Sequence, residues 1–486
     1  MLKKVLLSIT IALIVLVGIV LYRTITFKSK QLKVAAIERI AIDSNSIDRF
    51  SQAIKIPTIS YDDSTQFDST SFQGFLDLLS RNYPLTDSLL QREVINGYSL
   101  LYTWKGTATT AKPILLLAHM DVVPLEAETA AKWTQPAFSG AVKDGYIWGR
   151  GSLDDKLSVI ALLEATELLL KQGYQPKRTI YLAFGHDEEV SGKKGAAQIA
   201  SILQQRGIKA EFALDEGLVI TDGIVPGVEP PVGLIGLAEK GFLTVELKTA
   251  IDGGHSSMPE RATNIGVLAA AVAKLEQHPL PVKISGATQQ FINYIGPEMP
   301  FVERMAFANM WLFKGLFVSA LEKSAAGSAS IRTTTAPTVF RSGLKENLLP
   351  SEASALVNFR IIPGETPETV LDYVKKTIDD PRVQVHIANW AEKPSPVSSV
   401  DSEGYKSIEK TIRQLWPETI VTPSLVVGAT DSRHYVEVAD NIYRFQPIKL
   451  KQEDMARLHG INERISVADY KEAINFYYQL IKNTNL

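Results

Sequence analysis

Short clusters of histidine and acidic residues recur along the sequence, three of them directly after apolar stretches. They are HMD at 119–121, HDEE at 186–189, DEG at 215–217 and, much later, HGINE at 459–463. Titratable side chains at the end of a buried strand are costly unless they serve a site, so the recurrence is more informative than a single HxD. Imidazoles and carboxylates without any cysteine suit dications such as Zn²⁺, Mn²⁺ or Co²⁺. The clusters therefore predict a metal site built from several strand ends.

Two further segments carry groups that could act at such a site. GRGSLDDK at 149–156 places Asp154 and Asp155 before a helix, where they are either hard oxygen ligands or an acidic helix start. GGHSSMP at 253–259 places His255 in a loop that looks exposed, as a catalytic donor would be. Residues two apart in an extended segment point the same way, so Asp121 could orient the imidazole of His119.

The elements that must position these groups alternate between strands and helices. Apolar runs at 113–118, 179–184 and 212–214 predict buried strands, with helices at 157–171 and 196–206 between them. This order predicts an α/β fold with a mostly parallel sheet and helices on both faces. The carboxyl ends of parallel strands border one crevice, which is where three of the clusters fall.

A second unit is predicted further along the chain. Its elements have the order β-α-β-β-α-β of a ferredoxin-like domain, with a long insert after the first helix. We predict a catalytic domain at 35–241 and 393–486, a lid domain at 242–392, and a helical insert at 280–330 within the lid. The aromatic residues of the insert either close a local helical core or form a wall for an apolar substrate.

The amino terminus, residues 1–25, predicts a membrane helix. Lys3 and Lys4 precede an uncharged run from Val5 to Tyr22, 18 residues, which is just long enough to cross a bilayer. No small-residue cleavage site is evident, which favours a single-pass uncleaved anchor over a cleaved signal. The basic start places the catalytic body on the non-cytoplasmic side, membrane-anchored if the segment is retained and secreted if it is cleaved.

Composition limits the classes of function. The 486 residues are 45% hydrophobic and 21% charged, a globular balance that excludes disorder as the main state. The formal net charge of −2 offers no electrostatic footprint for nucleic acid. The absence of cysteine excludes thiolate nucleophiles and Cys-ligated metals, and no GxSxG elbow is present. The oligomeric state is left open.

Five motifs in a fixed order carry a resemblance to a known family. HMDVVP, GRGSLDDK, GHDEE, LDEG and HGINE resemble the dinuclear-metal exopeptidases and deacylases, which include acetylornithine deacetylase, succinyl-diaminopimelate desuccinylase, aminoacylase and carboxypeptidase G. The resemblance extends from Ile37 to the end of the chain. Within the family, GGHSSMP, IRTTTAPTVF and VNFRIIPGET are most similar to the branch of Gly-X carboxypeptidase (carboxypeptidase S) and N-fatty-acyl-amino-acid synthase/hydrolase.

The resemblance implies the ligands of two divalent metals, taken as Zn²⁺ with Co²⁺ or Mn²⁺ as alternatives. His119 and Asp215 would bind one metal, and Glu189 and His459 the other. Asp154 would bridge the two, and the Asp154–Asp155 peptide would be cis.

The resemblance also implies the catalytic groups and the reaction. Glu188 would be the general base, Asp121 would orient a metal-binding imidazole, and His255 would stabilise the oxyanion. The free carboxylate of the substrate would be bound by Asn347, Arg360 and Arg433. The implied reaction is cleavage, or the reverse formation, of the amide of N-acyl amino acids, especially N-fatty-acyl amino acids, by a water activated between the metals. The alternatives are a Gly-X type metallocarboxypeptidase or dipeptidase and an inactive binding protein; the latter is disfavoured because every expected ligand is present.

Overall fold

The computed structural model describes residues 1–108, 110–284 and 286–484. The helices are α1 (Leu2–Thr26), α2 (Asn45–Ile54), α3 (Ser69–Asn82), α4 (Pro84–Leu89), α5 (Lys156–Lys171), α6 (Ala196–Gln205), α7 (Asn264–Gln277), α8 (Gly286–Ile295), α9 (Phe301–Ala308), α10 (Met310–Leu321), α11 (Ala325–Ile331), α12 (Pro367–Ile378), α13 (Glu403–Leu415) and α14 (Val467–Asn483). The strands are β1 (Gln91–Ile95), β2 (Ser99–Trp104), β3 (Ile114–His119), β4 (Val142–Lys143), β5 (Tyr146–Trp148), β6 (Ile180–Gly185), β7 (Phe212–Asp215), β8 (Ile220–Asp222), β9 (Val232–Glu239), β10 (Gly241–Ala250), β11 (Gly254–His255), β12 (Thr334–Ser342), β13 (Leu348–Leu349), β14 (Glu352–Ile361), β15 (Val383–Glu392), β16 (Ile420–Val426), β17 (Ile442–Arg444), β18 (Lys449–Lys451) and β19 (Arg464–Ser466).

The large sheet is mixed rather than mostly parallel, although the chain has the predicted α/β class. Its strand order is β1-β2-β6-β3-β7-β17-β9-β8-β18, and β16 pairs with β9. The central strands β6, β3, β7 and β17 are parallel neighbours. On the two sides, β1–β2, β2–β6, β17–β9 and β8–β9 are antiparallel. β1–β2 and β8–β9 are consecutive in the chain and joined by loops without a crossover helix, which gives antiparallel pairing.

Helices cover both faces of the central strands, as the alternation of side chains in β3 shows. Leu116 packs in the hydrophobic cluster that includes residues of α5 and α14. Leu115 and Leu117 pack in a second cluster with residues of α6. Successive side chains of a strand point to opposite faces, so a continuous apolar strand must be covered twice.

A second, four-stranded antiparallel sheet has the strand order β12-β14-β10-β15. Its elements follow one another in the chain as β10, α7, β12, β14, α12 and β15. The buried face of this sheet packs on α7 and α12 through one hydrophobic cluster that includes Leu243, Val357, Leu268 and Val370. β10 alternates between buried and partly exposed residues, which leaves Phe242 on the other face.

The segment 27–43, here called the strap, has neither helix nor strand and joins α1 to the catalytic body. Gln31 exchanges two hydrogen bonds with the backbone of Val421, at 2.8 and 2.7 Å. The backbone N–H of Leu32 donates to Glu409 Oε1 at 3.0 Å. Further along, the backbone N–H of Ile40 donates to Asn475 Oδ1 at 2.9 Å, so the strap is bonded to the body at separate points.

The amino-terminal helix α1 is, within the described ranges, the one helix long and apolar enough to cross a membrane. Its most apolar 18-residue window has a mean hydropathy of 2.9. A signal sequence and a membrane anchor share this length and position.

Candidate metal centre

Two groups of histidine and carboxylate donors share the side chain of Asp154. Asp154 Oδ1 lies 3.0 Å from His119 Nε2, and Asp154 Oδ2 lies 2.9 Å from His459 Nε2. Glu189 Oε2 lies 3.5 Å from His459 Nε2. One carboxylate thus presents an oxygen to each imidazole, which is the arrangement of a bridging ligand. The Asp154–Asp155 peptide is cis.

The first group is completed by Glu216, whereas the family resemblance implied Asp215. Donor atoms of His119, Asp154 and Glu216 lie within 4.8 Å of one another. Asp215, the last residue of β7, uses its carboxylate otherwise: Oδ1 accepts from the backbone N–H of Glu216 at 3.0 Å, and Oδ2 accepts from that of Ser432 at 2.8 Å. These bonds hold the turn after β7 and leave the next carboxylate to face His119.

The parallel strands explain why the donors meet. β3 ends at His119, which is in register with Gly185 at the end of β6, and Leu116 is in register with Leu214 near the end of β7. The residues after these strands therefore lie at one edge of the sheet. His459 reaches this edge on a tight loop, where a Cβ at Gly460 would collide with the carbonyl oxygen of Ala456.

Asp121 connects a metal-binding imidazole to the segment of the predicted base. Its Oδ1 lies 3.4 Å from His119 Nδ1. The same carboxylate accepts hydrogen bonds from the backbone N–H groups of Glu188 and Glu189, both at 3.1 Å. Burial opposes ionisation of Asp121, but the hydrogen bond and charge of His119, with smaller contributions from Ser60 and the backbone N–H of Glu189, hold its pKa below the ordinary value. Asp121, the predicted partner of His119, thus also fixes the backbone positions of Glu188 and Glu189.

Glu188 is half-buried at the same edge. Burial raises its pKa well above the ordinary value; the carboxylates of Asp431 and Glu189 add to this effect, whereas His119 opposes it. A carboxyl group with a raised pKa in a cleft can accept and return a proton near neutral pH.

The donor set fits divalent cations. Three carboxylates and two imidazoles converge, with no thiolate, and Glu189 Oε1 is buried without a hydrogen-bond partner among the described residues. Carboxylates packed this closely repel one another unless positive charge lies between them. Nitrogen and oxygen donors in this combination suit zinc and similar dications.

Glu463 and Arg150 hold the two ligand segments together, a role that the sequence did not indicate. Glu463 Oε2 accepts from Arg150 Nη1 at 2.6 Å, and Arg150 Nη2 donates to the carbonyl oxygen of His459 at 3.0 Å. Glu463 Oε1 accepts from the backbone N–H groups of Gly151, Leu153 and Asp154, at 2.9, 2.8 and 3.3 Å. Both residues lie inside quoted motifs, GRGSLDDK and HGINE, but nothing in those motifs pairs them.

The two arginines predicted to bind substrate lie near each other. The Arg360 guanidinium stands 5.0 Å from the ring centroid of Phe242. Burial lowers the pKa of Arg360, and the positive charge of Arg433 lowers it further. Arg433 Nε lies 3.7 Å from Glu392 Oε1. The result is a partly buried cationic pair bordering the second sheet.

Of the other two predicted residues, His255 lies on a small ribbon formed by β11 and β13, and Asn347 directly precedes β13. Both side chains are exposed. His255 Nδ1 lies 2.7 Å from Ser257 Oγ, and the carbonyl oxygen of Asn347 accepts from the backbone N–H of Ser256 at 3.2 Å. Neither side chain belongs to the metal-ligand groups, so their roles stay predictions.

A cavity of about 460 Å³ opens beside the segment that carries Glu188. Its lining includes Val190, the aromatic rings of Phe67 and Tyr98, and Lys193. It is a concave, partly apolar space next to the titratable cluster.

The fold and the site together are those of a metal-dependent hydrolase. The chain matches Peptidase family M20/M25/M40 over residues 115–483. It is 42% identical over 483 residues to a probable carboxypeptidase S-like 2 of Dictyostelium discoideum, covering 96% of this chain and 92% of that protein. It is 41% identical over 485 residues to an N-fatty-acyl-amino acid synthase/hydrolase PM20D1 of Xenopus tropicalis, covering 98% and 94%.

A solved structure has the same fold. The M20 family metallo-carboxypeptidase Sso-CP2 from Sulfolobus solfataricus superposes with a TM-score of 0.65 at 19% identity, covering 91% of this chain and all of that one. The chain therefore belongs to Peptidase family M20/M25/M40. The predicted family and enzyme class, a metallohydrolase acting on amide bonds, are confirmed.

Proposed function

We propose that this protein cleaves, and in reverse forms, the amide bond of N-fatty-acyl amino acids at a two-zinc centre. The observation that carries the proposal is the carboxylate of Asp154 between two imidazoles, with Glu188 at the same edge of the sheet. The substrate class is supported by the Xenopus tropicalis relative, whose name states that activity, at 41% identity over nearly the whole chain. The proposed ligands are His119, Asp154, Glu189, His459 and, from its position, Glu216.

When bound, two divalent cations would stabilise negative charge on the amide oxygen and make a water molecule more acidic. Glu188 would take a proton from the attacking water and deliver it to the nitrogen of the leaving amino acid. Asp121 would keep the base in place through its bond to the Glu188 backbone. The proton leaves the water and ends on the amine, so the base is restored in each cycle.

The chain's positive side chains would select the substrate and complete the site. Arg360 and Arg433 would bind the free carboxylate, since guanidinium groups form charge-assisted hydrogen bonds with it. His255, on the exposed ribbon, would donate to the developing oxyanion after the second sheet unit closes as a lid. Closure would also exclude water from the reacting groups.

We further propose that α1 stays attached and anchors the body on the non-cytoplasmic side of a membrane. Its length and hydropathy support a span. Lipid amides partition into bilayers, so an anchored enzyme would meet its substrate there.

A second candidate is a Gly-X type carboxypeptidase that acts on short peptides. It is favoured by the Dictyostelium discoideum relative, a probable carboxypeptidase S-like protein. Both candidate substrates carry a free carboxylate next to the scissile amide, so the presence of Arg360 and Arg433 does not favour one candidate over the other.

The test is a hydrolysis screen of the purified full-length protein, stripped of metal and then supplied with Zn²⁺, Mn²⁺ or Co²⁺. N-oleoyl-phenylalanine is compared with the dipeptide Gly-Leu. We expect metal-dependent turnover with preference for the lipid amide, and a loss of about 10²- to 10⁴-fold in Glu188→Ala. Preference for the dipeptide would establish the second candidate, and equal turnover by Glu188→Ala would remove the base from its role.

A further inference from the structure

Two helices of the insert, α9 and α10, present exposed apolar side chains, although α9 (FVERMAFA) also carries the charges Glu303 and Arg304. Neither helix buries a residue. α10 reads MWLFKGLFVSAL, in which Lys314 is the single charge. Leu316 is 71% exposed, Val302 66% and Trp311 52%. A helix that is apolar on all sides normally lies in a protein core or in a membrane, and soluble proteins rarely expose such a contiguous patch.

These helices are joined to the last turns of α1. Along α1, Val20 and Thr24 are the buried residues. Asn309, which lies between α9 and α10, is fully buried and donates from Nδ2 to the Val20 carbonyl oxygen at 3.2 Å and to Thr24 Oγ1 at 3.3 Å. Its Oδ1 accepts from Trp311 Nε1 at 3.3 Å. The junction of α9 and α10 is thus held against α1 at Val20 and Thr24.

Val20 and Thr24 lie near the carboxyl end of α1. The Phe27 ring packs so closely on Gly296 that a Cβ there would lie 2.6 Å from it. Lys30 Nζ stands 5.1 Å from the ring centroid of Tyr294, and Arg304 lies over the ring of Phe301. Aromatic and basic side chains beside an apolar segment are typical of a membrane–water boundary.

We propose that α9 and α10 insert into the outer part of the membrane that α1 crosses, with Val302, Trp311 and Leu316 against lipid. This inference rests on the anchoring of α1 proposed above. Lipid is the occupant because the exposed patch continues the apolar surface of α1 and is bonded to it at Asn309. Within the insert, α9 and α10 would therefore form neither the self-covered core nor the substrate wall that the sequence suggested.

The absence of cysteine makes single-site labelling direct. Full-length Leu316→Cys is labelled with an environment-sensitive NBD fluorophore and reconstituted into phosphatidylcholine vesicles that contain doxyl lipids. The matched control is Leu344→Cys, an exposed leucine on the β12–β13 connection that is 95% exposed. Ile14→Cys, in the middle of α1 and 66% exposed, reports anchoring separately.

We expect the label at Leu316 to shift to the blue, to lose emission to lipid doxyl, and to be protected from aqueous iodide. The label at Leu344 should show the reverse. A quenched label at Ile14 with an aqueous label at Leu316 would overturn the inference and leave anchoring intact. An aqueous label at Ile14 would overturn anchoring and the inference with it. A Leu316 label protected from iodide but unaffected by doxyl would place another protein chain on the patch and overturn the inference.

Discussion

The ion pair of Glu463 and Arg150 should control metal affinity although neither residue offers a donor to a metal. Glu463→Gln keeps one carbonyl oxygen for the three backbone N–H groups of the Asp154 segment. Its amide nitrogen, however, replaces the oxygen that lies 2.6 Å from Arg150 Nη1. The variant therefore leaves a buried guanidinium without its counter-charge.

The magnitude follows from that geometry. Breaking a buried ion pair by removing one partner costs about 3–5 kcal/mol. Because Arg150 also holds the His459 carbonyl, part of this cost falls on the alignment of Asp154 and His459. Loss of an outer partner of a ligand lowers metal affinity by about 10- to 100-fold, or about 1.4–2.8 kcal/mol. The remainder should appear as a lower Tm of the metal-free protein.

A matched control separates the two effects. Glu164 is also buried and pairs with Arg49 at 2.6 and 2.7 Å, but it contacts neither ligand segment. Metal Kd by chelator competition and Tm without metal are measured for Glu463→Gln and Glu164→Gln. We expect both variants to lose stability and only Glu463→Gln to lose metal affinity. Equal metal affinity in the two variants would refute the reasoning and reduce the pair to a fold-stabilising contact.

Three other results are expected. Glu216→Gln should remove one of the two metals, measured as metal content per chain, whereas Asp215→Asn should retain both; the opposite order would restore Asp215 as the ligand. Arg360→Ala and Arg433→Ala should raise KM for N-oleoyl-phenylalanine and leave its carboxamide analogue unaffected, and an equal change for both compounds would contradict carboxylate binding. Burial raises the pKa of Glu409 to about 7, because the buried carboxyl group is more stable when protonated. The stability that this group contributes is fully present below its ordinary pKa and is lost as the pH rises through 7. Denaturant titrations should therefore show stability falling by up to about 3 kcal/mol across that window in the native protein, and no such slope from this group in Glu409→Gln.

The ends of the central strands were predictable because each follows a short apolar run that can be read from neighbouring residues alone. The apolar runs before His119, Gly185 and Asp215 are β3, β6 and β7, and parallel strands bring their carboxyl ends together. The mixed character of the sheet was not predicted, since the antiparallel strands β2 and β9 are as buried as the parallel strand β3.

Three other features could not be predicted, because they depend on the orientation of one side chain or on contacts between residues far apart in the chain. Asp215 and Glu216 are adjacent at the end of a strand, where the alternation of side chains no longer says which one faces the site. Glu463 and Arg150 are 313 residues apart, so no local pattern pairs them. The sequence predicted a helical insert with aromatic residues at 280–330, but not that the side chains of α10 stay uncovered.

The strap also determines where the chain can be shortened. A protein that begins at residue 27 would keep the hydrogen bonds of Gln31 and Leu32 to Val421 and Glu409. One that begins at residue 44 would leave the Glu409 carboxyl without its backbone donor and the edge of β16 without its side-chain partner. A shortened chain that keeps these contacts therefore starts immediately after α1, well before the first helix of the catalytic body.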